Sequence, residues 1–387
     1  MKLFTAVFCA LVLWFLQSVI FERFWRTGLK AALTFNCSHV SEGECTVLRE
    51  TVTNAKALPL PVLHVKFQMG KHLVFTSAAN FKITDQNYRS DIFSCMPWQE
   101  IRRNLQISCQ KRGYYTISQV QLVTYDLFFS SHMAASLPVD ASLYVFPREI
   151  PFDRLKLPFS CLCGQISALT SLTADPFEIQ SVRPYQSYDP YRCINWKATA
   201  RTGELKVNVY APTSSLQVMF LMDTDCGGIW KDEDLTEEAL RLCGSYSRLL
   251  ISRGIPVSVV SNGTDCLTGQ KGCIEAGAGK NHGEAVMELL ARIRTCKDEQ
   301  SPMEEILKDL ARPSGAYPSM EGGSTVFILI SSKQRDTMVQ AFDFLCRQRP
   351  GCQWILPHRP GQKHVPEPAA PISVFPWEVP YDYSHAS

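Results

Sequence analysis

The stretch LQVMFLMD (216–223) is apolar at nearly every position and carries no charge before its final acid, Asp223. Apolar residues on consecutive rather than alternate positions mark a short strand covered on both faces. Three more such runs occur downstream: IPVSVVS (255–261), STVFILIS (324–331) and CQWIL (352–356). Between them the period changes. Val286, Leu289, Leu290 and Ile293 recur at i, i+3, i+4 and i+7, and Met338, Ala341, Phe342 and Leu345 repeat that spacing, as the apolar stripe of a helix does. Helices are expected over 236–253, 282–295, 303–311 and 335–348. Strands and helices in alternation predict a parallel sheet clad by helices on both faces, a doubly wound α/β domain over 216–357. The stripes are core and receive no ligand role.

Upstream the pattern differs. Over 33–146, short runs such as LHVKF (63–67) and NLQISC (104–109) are broken at Glu42-Gly43-Glu44, Pro59-Leu60-Pro61 and Lys111-Arg112-Gly113. This predicts a β-sandwich-like domain over 31–150, in which YYTISQVQLVTYDLFF (114–129) reads as strand. Pro147, Pro151, Pro158 and Pro176 place the domain boundary within 147–181, and 151–215 reads as linker and signature segment. The Pro-rich tail, 358–387, holds one strand-like run, ISVF (372–375), expected to wrap a sheet edge or to stay partly disordered.

At the N-terminus LFTAVFCALVLWFLQSVIF (3–21) contains no charge. As a helix it measures about 28 Å, close to one hydrocarbon thickness of about 30 Å. The run exceeds a usual signal-peptide core, and FERFWRTGLK after it offers no small-x-small cleavage site, so residues 1–30 read as an uncleaved, single-pass anchor in the cell membrane. Arg23, Arg26 and Lys30 on the downstream flank place the soluble domains in the cytoplasm, and Phe21, Phe24 and Trp25 suit the interfacial belt.

A formal net charge of +2 without like-charge blocks gives no footprint for nucleic acid. The 15 cysteines fall irregularly, and the closest pair, Cys161 and Cys163, lacks a second pair to complete a zinc site, so reduced, mostly buried thiols are expected. The sequons at Asn36 and Asn262 carry weight only in a secreted chain.

The most specific segment is RPYQSYDPYRCINWKATARTGELKV (183–207). It closely resembles the signature of the bacterial domain-of-unknown-function-58 family at Arg183, Tyr185, Asp189, Arg192, Ile194, Trp196, Lys197, Ala198, Ala200, Arg201, Gly203 and Leu205, with Tyr188 where that family places Gly. EGE (42–44), LPLP (58–61), RGYY (112–115) and YDLFF (125–129) extend the resemblance upstream. Members often carry two N-terminal membrane helices, where this chain shows one. The resemblance implies a von Willebrand factor A-like α/β domain, a MoxR-type AAA+ ATPase as partner and no established enzymatic activity. Read physically, Asp189 is expected to cap a short helix and to pair with Arg192 or Arg201 around a buried Trp196 anchor. The competing reading makes Arg192, Lys197 and Arg201 a docking or anion-binding surface.

A von Willebrand factor A-like domain holds Mg²⁺ through D-x-S-x-S after its first strand. Here Asp223 fits the first ligand, but Asp225 replaces the first Ser and Gly227 the second; Ser331-Ser332 ends the third strand instead of Asp, and GAGKNHGEA (277–285) lacks a clear threonine ligand. Asp223 and Asp225 are thus a degenerate Mg²⁺ set, and no cofactor is expected. The run before the helix at Lys280 lacks P-loop spacing, and no G-x-S-x-G occurs, so neither a nucleotide site, a small-molecule substrate nor a nucleophilic catalyst is expected. The expectation is a non-enzymatic, membrane-anchored scaffold or adaptor that engages a protein partner at the C-terminal strand ends. The alternative is a metal-dependent (Mg²⁺-type) protein-binding adhesion module.

Overall fold

The computed structural model describes residues 2–76, 82–85, 88–155, 174–186, 189, 191–212, 216–225, 233–295, 302–312, 325–349, 351–361 and 373–380. The chain divides into two compact units, Met1–Arg148 and Glu149–Ser387.

The first unit opens with helix α1 (Lys2–Phe24), one helix long and apolar enough to cross a membrane. Its side chains are exposed over most of its length, but Phe21 and the following Trp25 are buried in the β-core. Among the described residues ten strands come after it: β1 (Leu29–Phe35), β2 (His39–Ser41), β3 (Cys45–Asn54), β4 (Leu60–Gln68), β5 (Leu73–Phe75), β6 (Lys82–Asp85), β7 (Tyr88–Cys95), β8 (Gln99–Cys109), β9 (Gly113–Tyr125) and β10 (His132–Phe146). They form sheets of order β1-β3-β8-β5 and β2-β10-β9-β4-β7-β6. Alternation along β3 and β8 turns Leu48, Val52, Leu105 and Ile107 inward, where they share one core with Leu63, Val65 and Phe67 of β4 and Val120 and Leu122 of β9. This is the sandwich expected. The break at Glu42–Glu44 is a turn with Gly43 at φ 89°, a conformation open to glycine.

YDLFF departs from the expectation, because β9 ends at Tyr125 and Asp126 starts a hairpin tip. The Asp126 carboxylate accepts from the amides of Ser130 (2.7 Å) and Ser131 (3.3 Å) and from the Ser130 hydroxyl, and Phe129 turns at φ 57°. These local bonds outcompete continuation of the ladder.

The sandwich also encloses charge. Glu50 of β3 faces Arg103 of β8 across the ladder and neighbours Asp91 of β7. Asp91 accepts from Arg89 Nε at 2.6 Å, Arg89 Nη2 at 3.1 Å and Arg103 Nη1 at 3.1 Å. Burial pushes the Glu50 carboxyl up to about 8, the Asp91 charge adds to the shift, and the two guanidiniums oppose it.

In the second unit, β11 (Ala174–Pro184) pairs with β12 (Lys206–Pro212), flanking the short helix α2 (Trp196–Thr202). The main sheet comprises β13 (Gln217–Met222), β14 (Val257–Asp265), β15 (Lys271–Gly277), β16 (Ile293–Arg294), β17 (Thr325–Ile330), β18 (Cys352–His358) and β19 (Ser373–Glu378). Its order is β15-β14-β13-β17-β18-β19, with β16 beside β14. The helices are α3 (Glu233–Ser252), α4 (Lys280–Arg292), α5 (Met303–Ala311) and α6 (Asp336–Gln348). Met219 and Leu221, with Phe327, Leu329, Trp354 and Leu356, pack against α5 and α6. Phe220, of opposite parity, stacks on Tyr246 of α3, and α4 lies against α3 where Met287 approaches Gly244. Both faces are therefore covered, which is why these strands are apolar at consecutive positions.

The second unit departs from expectation at two points. The sheet is mixed: β13, β14, β17, β18 and β19 run parallel, but β15 and β16 are antiparallel to β14. Ile293, expected within a helix, belongs to β16, since α4 stops at Arg292. The strand-like run in the tail does wrap a sheet edge, the first of the two alternatives expected: β19 pairs with β18, and the Trp377 indole donates to Glu238 Oε1 at 3.2 Å.

Candidate functional site

The parallel strands β13 and β17 end side by side, and the residues just beyond them meet Asn262 of β14, which follows the last residue paired with β13. Asp223, just past β13, is buried, and Asn262 and Ser331 are buried beside it. The Asp223 carboxylate accepts from Ser331 Oγ at 2.6 Å, Asn262 Nδ2 at 2.8 Å and the Asp225 amide at 3.1 Å. Asn262 Oδ1 in turn accepts from the amide and hydroxyl of Thr224 at 2.8 and 2.9 Å. Gly263 allows this closeness, for a Cβ there would lie 2.6 Å from Thr224 Oγ1 and 2.8 Å from the Arg294 carbonyl. Burial pushes the Asp223 carboxyl upward, and the Asp225 charge adds to this. The three hydrogen bonds, Ser331's first, oppose both.

The oxygens suit a hard cation by type, but the arrangement does not fit one. Each Asp223 oxygen is already engaged by a donor, and Asp225 Oδ2 pairs with Arg335 Nη2 at 3.1 Å, so a tethered guanidinium already neutralises Asp225. Among the described residues, no group of three or more His, Cys, Asp and Glu side chains is arranged to hold a metal. Gly227, which stands where the motif has its second Ser, lies outside the described residues, as do Cys161 and Cys163. The loop before α4 is at the opposite end of the sheet, because β15 runs antiparallel and sets Gly277 against Val257 at the start of β14. It therefore contributes nothing to this cluster.

The signature segment is held by different bonds from those expected. Asp189 is bound in a bidentate pair by Arg183, at 2.6 and 2.7 Å, and accepts from the Gln186 amide at 2.9 Å. Arg183 thereby holds the Asp189 carboxyl below the usual carboxylate range. Asn195, not Asp189, caps α2, its Oδ1 accepting from the Ala198 amide at 2.9 Å, and Gly203 ends the helix at φ 72°. Trp196 is not the buried anchor expected: it is 67 % exposed, and Tyr191 is 77 % exposed. Tyr191 stacks on Tyr185 with ring centroids 6.1 Å apart. Lys197 and Arg201 lie on α2; Tyr188 and the Arg192 side chain are outside what the structure describes.

Reading the sequence missed Thr224, Asn262 and Arg335. Asn262 had a visible signal: it comes directly after IPVSVVS, as Asp223 comes directly after LQVMFLM, and residues that follow such runs in adjacent parallel strands are neighbours. The register pairs Met222 with Ser261.

Residues 181–331 match the family model described as protein of unknown function DUF58. No curated protein matches. Among solved structures, a non-cellulosomal cohesin from the hyperthermophilic archaeon Archaeoglobus fulgidus is similar at 9 % identity and TM-score 0.22, over 30 % of this chain and 91 % of that one. The major pilin SpaD from Corynebacterium diphtheriae gives 7 % identity and TM-score 0.25, over 30 % of this chain and 35 % of that one. A PapD-like domain of human CEP192 gives 14 % and 0.21, over 32 % and 88 %. At such scores these likenesses add nothing to the fold described above.

Proposed function

Over residues 181–331 the chain belongs to the family described as protein of unknown function DUF58, and from that premise we propose that it is a non-enzymatic adaptor, tethered to a membrane by α1, whose signature segment docks a protein partner. The observation that carries this reading is the exposure of Trp196 and Tyr191 on a segment fixed by the Arg183–Asp189 pair and the Asn195 cap. Rigidly presented aromatics lose little side-chain entropy on binding and are common energetic centres of interfaces. The second unit serves as a doubly wound, von Willebrand factor A-like scaffold; five parallel strands with Asp223 at the end of a central one support that assignment. The resemblance of 183–207 to its family makes a MoxR-type AAA+ ATPase the partner, and the charge flanking α1 puts both on the cytoplasmic side.

The test is affinity capture of the full-length chain from its native membrane, with wild type, a Tyr191→Ala/Trp196→Ala variant and Asp223→Ala, each with and without chelator. The expected result is an AAA+ ATPase that chelation does not remove and the aromatic double variant loses, with the thermal transition unchanged because both rings are exposed. Capture of another partner that disappears with chelator or Asp223→Ala, and survives loss of the aromatics, would establish the metal-dependent binding module instead.

A further inference from the structure

The β9–β10 hairpin tip is bonded to the apolar helix. Gln17 Nε2 of α1 donates to Asp126 Oδ2 at 3.0 Å, which sets the tip level with Gln17. Next to that bond, Leu127, Phe128 and Phe129 are 45 %, 64 % and 61 % exposed. Three consecutive apolar side chains facing outward are costly in water. Asp126 itself is buried, its oxygens taken by Gln17, Ser130 and Ser131, so the turn shows little polar surface of its own carboxylate.

Helix length decides what medium lies at that level. The apolar residues before Gln17, 3–16, rise only about 21 Å, against a hydrocarbon layer of about 30 Å. A full span must therefore extend past Gln17 by one to two turns, toward Phe21 and Phe24. The same end of the unit carries Met96 and Trp98, both exposed, and Lys56, which donates to the Trp25 carbonyl. An aromatic and a lysine near the helix end are side chains that settle at a headgroup boundary. The tip lies deeper than that boundary.

We propose that the β9–β10 tip is a second membrane contact, with Leu127, Phe128 and Phe129 inserted into the lipid beside α1. This rests on α1 spanning the bilayer. The tip fixes the rotation and tilt of the sandwich on the membrane surface, which a single helix leaves free.

The test places the photoreactive residue p-benzoylphenylalanine singly at Leu11, Leu127, Phe128 or Glu44 in the full-length chain, reconstituted in vesicles of phosphatidylethanolamine and phosphatidylglycerol. All four positions are exposed, so the substitutions leave the fold intact, and Glu44 precedes the end of β3 away from α1. Lipid adducts at Leu11, Leu127 and Phe128 with none at Glu44 are expected. An adduct at Leu11 with none at Leu127 and Phe128 would overturn the proposal and leave the anchor standing. No adduct at Leu11 would remove the anchor and the proposal together, and protein adducts at Phe128 in place of lipid would make the tip a protein contact.

Discussion

Glu50 and Asn262 are both buried polar side chains, and each has a measurable consequence. In the folded chain burial pushes the Glu50 carboxyl up to about 8, from an ordinary value of 4.5. Between those values the folded state holds a proton that the unfolded state has released, so this group's contribution is complete below about 4.5 and is lost as pH rises to about 8. Glu50→Gln keeps the neutral form throughout. It should match wild type near pH 4 and exceed it above pH 8 in denaturant melts of the full-length chain; equal stability at both pH values would show that Glu50 is ionised in the fold. Asn262→Ala removes one donor from Asp223 and the acceptor shared by the Thr224 amide and hydroxyl, and should cost about 2–3 kcal/mol, read as a lowered denaturation midpoint. The buried amide also explains why the Asn262 sequon has no bearing on the folded protein: its Nδ2 is committed to Asp223. At this scale the sequence was legible only in part. Asp223 was found because it ends an apolar run. Asn262 and Arg335 were not, since their roles depend on which strands end side by side, and Trp196 misled because a tryptophan is usually at least half buried.

Among the elements, the central strands were the readable ones. β13, β17 and β18 are covered on both faces, and that burial is what makes them apolar at consecutive positions. β15 and β19 lie at the sheet edges, and β16 has only two residues, so none needs such a run. The hairpin tip escaped for another reason, since DLFF has strand-like composition and only the Asp126 bonds to Ser130 and Ser131 reveal a turn. Trp354 joins two elements: its ring meets Phe342 of α6 at 5.6 Å and 68°, and its indole donates to the Ser331 carbonyl at 3.0 Å. Trp354→Phe keeps an aromatic ring there and should cost about 1 kcal/mol, the worth of one hydrogen bond. Trp354→Ala should cost about 3–5 kcal/mol through the cavity. Equal midpoints for the two variants would mean that the ring contributes nothing beyond its N–H.

For the whole molecule, orientation across the membrane is the property that most constrains function. Cys45 in the first unit and Cys273 in the second are exposed thiols. With both units in the cytoplasm, a membrane-impermeant maleimide added to intact cells should leave both unlabelled and should modify both once the membrane is permeabilised, as read by peptide mass. Labelling in intact cells would place the units outside and revive the adhesion reading. Among the described residues α1 alone is long and apolar enough to cross a membrane, so residue 45 and residue 273 are expected to give the same answer.

The pairing of β19 with β18 also governs the order in which the protein is made. Residues 373–378 leave the ribosome after every other strand of the main sheet. Until they emerge, the β18 backbone, Cys352–His358, is an open parallel edge on a nascent chain. Such edges recruit other chains in mid-synthesis. A premature stop anywhere between β18 and β19 would therefore yield a product that aggregates, even though all of the Asp223 cluster and the signature segment would already have been translated.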